Sequence, residues 1–187
     1  MKISISTKHL IIWFFVLLVV LSSVYIIYQF APKHATIYNF FGIEIPFRAD
    51  IYKANIISVY PDNETIYNML WDYRLQNITI VFVNSSDNGK VAVEAFEITH
   101  KMTIAYQHIG NLNNVYFDIG FNGREVDSYE NLSANSSNIV IALVPPILSN
   151  DTLVEEKNNV IYIKGKTMED FDLATVKFLM VALAINL

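Results

Sequence analysis

Asn84-Ser85-Ser86-Asp87 is the stretch of this chain whose side chains best fit a ligand loop. It follows an apolar run, Ile78 to Val83, and precedes a helical pattern, the place where α/β sheets bind ligands. The N–H groups that open such a helix suit an anion, and Ser85 or Ser86 becomes a nucleophile if a general base stands beside it. No Gly-x-Ser-x-Gly elbow is present, and Asp87 or Asn88 equally suits a plain helix cap. Asn84 also opens an Asn-Ser-Ser acceptor, and a glycan there would obstruct a site.

Three further patterns bear on chemistry. Gly165-Lys166-Thr167 stands between a strand-like and a helix-like run, where a phosphate-binding loop keeps its GKT. Such a loop needs another glycine five residues before Gly165, and that position is Val160. The tripeptide therefore reads as a tight turn with Thr167 capping a helix, and no nucleotide is expected. Glu97-Ile-Thr-His100 fits the Glu-x-x-His of di-metal helix bundles, with Glu94 one turn earlier, but no second copy exists. These three residues are expected on one solvated helix face, and neither a metal nor a cofactor is expected. Asp118 and Asp172 are followed by Ile and Leu, not by the hydroxyl residue of an aspartic-protease motif.

Glycosylation acceptors are more numerous than catalytic patterns. Asn63, Asn77, Asn84, Asn131, Asn135 and Asn150 each begin Asn-x-Ser/Thr, which implies surface positions in an exported protein. Leu10 to Phe30 runs without a charge and, as a helix, is about 30 Å long, the thickness of a bilayer's hydrocarbon core. Lys2, Lys8 and His9 precede it, against Lys33 and His34 after it, which favours a cytoplasmic N-terminus and an external remainder. The run is longer than a signal-peptide core and ends in bulky residues, so an uncleaved anchor in the lipid bilayer is expected. All 18 acidic residues lie beyond it, so the remainder is acidic, has no basic patch and is not expected to bind nucleic acid. Cysteine is absent, which removes disulfides and thiolate metal sites.

The elements that must position these residues follow from periodicity and turn chemistry. Residues 1–9 read as a cytoplasmic tail, 10–30 as the anchor, 31–36 as a short joint and 37–187 as one domain. Ile37–Ile45 and Ile51–Tyr60 are predicted strands, and Asp62-Asn63 opens a helix with Ile66, Met69, Leu70 and Tyr73 on one face. Ile78–Val83 is predicted as a central strand. A helix over about 90–109 follows, with Ala92, Phe96, Thr99, Thr103 and Tyr106 on one side and Gly110 ending it. Strands are predicted at Val115–Phe121, Ile139–Val144 and Val160–Lys164, a loop over 124–138 and a last helix from Met168 to about Asn186.

Three main helices alternating with strands predict a layered α/β domain with a mixed sheet, its crossovers covering both faces. Phe178 to Ile185 is apolar all round, which fits either a core helix or a face that meets a membrane or envelope partner. The function most consistent with these features is a non-enzymatic single-span surface protein acting in structure, adhesion or as an accessory subunit. The alternative is a membrane-tethered hydrolase or ligand-binding domain using Asn84–Asp87.

Overall fold

A computed structural model describes residues 36–185. The expected anchor at Leu10–Phe30 lies outside the described residues. Among the described residues no helix is long and apolar enough to cross a membrane.

The described residues begin with a two-stranded antiparallel hairpin, β1 (Thr36–Phe40) and β2 (Ile43–Phe47), where a single strand is predicted over Ile37–Ile45. The cause is the Phe41-Gly42 turn. Both residues have positive φ, 49° and 97°, which matches the two-residue turn whose twist suits a hairpin, and Asn39 Oδ1 accepts from the Gly42 N–H at 2.8 Å. Asp50 then caps a one-turn helix, α1 (Ile51–Ala54), by accepting from the Tyr52 N–H at 2.8 Å. That cap converts most of the second predicted strand, and only β3 (Ser58–Tyr60) remains extended.

The helix predicted after Asp62 is present as α2 (Asn63–Leu70), its cap accepting from the Thr65 N–H at 2.7 Å. Ile66 and Leu70 are buried, whereas Tyr73 lies beyond the helix in solvent. Strand β4 (Asn77–Val83) leads into the long helix α3 (Asn88–Asn113). Gly110 does not end α3. A Cβ there would meet the Val115 carbonyl oxygen at 2.5 Å, so glycine lets the following segment fold back onto the helix, and left-handed Asn114 terminates it. Strand β5 (Gly120–Val126) consequently starts later than predicted and runs into the segment predicted as loop.

Strands β6 (Asn138–Val144) and β8 (Val160–Lys164) occupy their predicted places. Between them lies β7 (Leu153–Lys157), an unpredicted strand. It forms an antiparallel hairpin with β8 through Asn158-Asn159, both at positive φ. The last helix is α4 (Met168–Ala182).

These elements make a mixed α/β domain with four helices and a six-stranded sheet in the order β3-β7-β8-β6-β4-β5. Strands β8, β6, β4 and β5 are mutually parallel, so β4 is central as predicted. All four helices pack on one face, contrary to the expectation that both faces carry them. Ile78, Ile80, Ile141, Leu143, Ile161 and Ile163 meet the helices there. On the other face Val81, Val140, Ala142 and Val160 are covered by Tyr129, Leu132 and Ala134 of the β5–β6 loop. Handedness explains the arrangement: α3 carries the chain outward from β4 to β5, the loop returns it past β4 to β6, and right-handed crossovers in opposite directions lie on opposite faces.

Helix α4 sits at the centre of the helical layer. Phe178 to Leu183 and Ile185 are buried within the domain, as the core-helix alternative for this segment requires. Trp71 Nε1 donates to the Ala182 carbonyl at 2.8 Å, and Tyr106 Oη donates to the Leu70 carbonyl at 2.6 Å, which ties α2 to α3 and to the end of α4.

Candidate functional site

The Asn84–Asp87 loop leaves the C-terminal end of β4 and enters α3, where the sequence places it. Its polar groups bond to one another. The Ser85 N–H donates to Asn88 Oδ1 at 2.9 Å, Asn88 Nδ2 donates to Asn84 Oδ1 at 2.8 Å, and the Asp87 N–H donates to Ser85 Oγ at 3.3 Å. Asp87 stands at the helix N-cap position but makes no side-chain cap bond. Its carboxylate instead accepts from the Ile147 N–H at 3.4 Å, beyond the end of β6. The groups bonded to Ser85 are an amide side chain and a backbone N–H, and neither takes a proton at neutral pH. The loop is a self-bonded turn.

Gly165 and Thr167 likewise serve the backbone. Thr167 Oγ1 accepts from the Asp170 N–H at 3.1 Å, as predicted for a cap, and Glu169 and Asp170 occupy the first turn of α4. A side chain at position 165 would collide with the backbone of Phe171, so glycine here lets α4 start against the end of β8.

Glu94, Glu97 and His100 do not share a solvated face, as had been expected. His100 is exposed and stacks on Phe96 with ring centroids 5.5 Å apart, whereas Glu94 is only 3% exposed and points into the helical layer. Around Glu94 gather groups from three parts of the chain. Arg48, after β2, lies 3.8 Å away and Lys90, one turn back on α3, lies 3.4 Å away. Lys90 also pairs with Asp172 on α4, and Lys101 pairs with Glu97 while its ammonium lies 5.4 Å from the centre of the Phe47 ring.

Burial and the neighbouring Asp172 carboxylate push the Glu94 carboxyl up to about 8, against the pull of Lys90. Burial pulls the Lys101 ammonium down to about 8 against the attraction of Glu94. Among the described residues Glu94 Oε1 and Thr175 Oγ1 are buried without a hydrogen-bond partner. Beside them is a hollow of about 10 Å³ lined by Arg48, Glu97 and Asp172 as well. That is room for one water and no substrate. The cluster joins the segment after β2 to α3 and α4 through Arg48, Glu94, Lys90 and Asp172.

Sequence reasoning missed this cluster because it anchored the buried face of α3 on Phe96. The signal was legible: Val91, Glu94, Ile98, Lys101 and Ala105 recur at three- and four-residue spacing and are all buried.

Two larger hollows open at the surface. One, of about 390 Å³, lies between α2 and the starts of β6 and β8, and Asn68, Asp72, Arg74 and Asn135 contribute to it. The other, of about 800 Å³, lies on the helix-free face between the β5–β6 loop and the β7–β8 hairpin. Of the six glycosylation acceptors, Asn63, Asn84, Asn131, Asn135 and Asn150 are exposed, and Asn77 is half-buried within β4. Among the described residues no group of three or more His, Asp or Glu side chains is arranged to hold a metal ion. No protein family, curated protein or solved structure matches the chain.

Proposed function

We propose that the chain is a single-span membrane protein whose glycosylated α/β domain stands outside the cell. There it serves as a structural, adhesion or accessory subunit of an envelope complex. The observation that carries this reading is the set of acceptor asparagines. Five of six lie on exposed positions of the domain, downstream of an uncharged run of bilayer length. The self-bonded Asn84–Asp87 turn and the water-sized hollow beside Glu94 favour a binding or structural role over catalysis.

Protease added to intact cells, followed by glycopeptide mass spectrometry of the full-length protein, tests the reading. Digestion of the domain is expected, with glycans on the exposed acceptors and least on Asn77. Protection of the domain together with bare asparagines would overturn it. Pull-down in mild detergent then identifies the subunits it accompanies.

A further inference from the structure

Among the described residues, only half of the sheet face opposite the helices is covered. The β5–β6 loop lies over β4 and β6, and beside it β7 and β8 form the floor of the 800 Å³ groove. Strand register sets what faces outward there. Tyr60, Glu155, Tyr162 and Ala142 are successive cross-strand partners, so they form one row on this face, ending beneath the loop.

The lining has the chemistry of a site for a neutral polyhydroxylated chain. Tyr162 is half-buried with the Lys164 ammonium over its ring, 5.5 Å from the centre, and the hydroxyls and amides of Ser128, Asn131 and Asn158 offer donors and acceptors to a sugar's hydroxyls. Two carboxylates, Glu130 and Glu155, stand with two ammoniums, Lys157 and Lys164, so charge balance favours an uncharged occupant over an anion or a cation. Glu155 and Lys164 are themselves paired at 2.6 Å, which fixes the floor before anything binds. Asn131, an exposed acceptor asparagine in left-handed conformation at φ 60°, stands on the wall of the same groove.

We infer that the groove is the seat of the glycan carried by Asn131, which lies along Tyr162 and Glu155 on the open half of the sheet. This rests on the proposal that the domain is glycosylated and names what one of its glycans does. A tether this short holds the sugar at an effective concentration in the millimolar range, so contacts too weak to bind free sugar suffice. The seated glycan covers the half of the face that the loop leaves open.

The test is the rate at which a glycosidase releases each glycan from the native full-length protein. Asn150, on an exposed loop, is the internal reference. A glycan seated about nine-tenths of the time is released roughly tenfold more slowly than a free one. Slow release at Asn131 is expected in the wild type, with parity restored by Tyr162→Ala and by the milder Glu155→Gln, which keeps the fold if the first does not. Equal release at Asn131 and Asn150 in the wild type would overturn the inference, as would an unmodified Asn131. Glycans on the other acceptors would in either case leave the broader functional reading standing, whereas bare asparagines throughout would remove both.

Discussion

Burial raises the Glu94 carboxyl from its ordinary 4.5 to about 8, so between those values the folded chain holds a proton that the unfolded chain has released. The stability this proton contributes is fully present below about pH 4.5 and is lost as pH rises towards 8. Lys101 acts in the opposite sense. Its folded value is lowered from 10.5 to about 8, so the unfolded chain binds more protons in that window and stability climbs again with pH. Denaturant midpoints are therefore expected to fall from pH 5 to a minimum near pH 8, and Glu94→Gln, neutral at every pH, to flatten the descent. Equal midpoints at pH 5 and pH 8 in the wild type would take the proton away from Glu94. The GKT tripeptide gives a second contrast between single residues. Thr167→Ala is expected to cost about 1 kcal/mol through its lost cap. Lys166→Ala, at an exposed position, is expected to change stability by no more than about 0.5 kcal/mol. Thermal melts of the two variants distinguish a helix cap from a phosphate site, which would need the lysine most.

At the scale of elements, what was legible follows from burial. Strands β4 and β6 read directly from sequence because they are covered on both faces and show as short apolar runs, and β8 because Val160, Ile161 and Ile163 are fully buried. Helices α2 and α4 were marked by Asp62 and Thr167 at their caps. Strand β7 was hidden because Leu153-Val-Glu-Glu-Lys157 sets charged residues on the groove face, and β5 because an edge strand keeps polar residues in solvent. The true face of α3 was obscured by Glu94 and Lys101, two buried charges that interrupt its apolar stripe. The spacing along α3 could show only its own share of the cluster around Glu94, because Arg48 and Asp172 come to it from elements far away in sequence. Gly110 shows how element length is set. Alanine there improves helix propensity by about 1 kcal/mol, but its Cβ meets the Val115 carbonyl oxygen at 2.5 Å. Overpacking costs about 1–3 kcal/mol, so after the propensity gain Gly110→Ala is expected to lower stability by a net of up to about 2 kcal/mol, with a matching fall in melting temperature. A stabilised variant would show that the fold-back after α3 is loose.

The whole molecule joins two β units of unequal strength. The six-stranded sheet holds the core, whereas the β1–β2 hairpin belongs to a separate sheet. The hairpin buries Phe40, Ile45 and Phe47 in the main core and meets α3 through the His108–Phe41 carbonyl contact at 2.9 Å, through Phe47 beside Lys101 and through Arg48 beside Glu94. Native-state hydrogen exchange is expected to open its amides before those of β4, β6 and β8, since local opening follows the fewest buried contacts. Simultaneous exchange would merge the two units into one. The register of the hairpin also has a mechanical meaning. Thr36 pairs with Phe47 at its open end, so tension arriving through residue 36 pulls the two strands apart one bonded pair at a time and does not load them in shear. A molecule held from its N-terminal side would yield there at low force and pay out β1 and β2 as slack while the six-stranded sheet stayed whole. In a force ramp on the full-length protein this is a small early extension well before the main rupture.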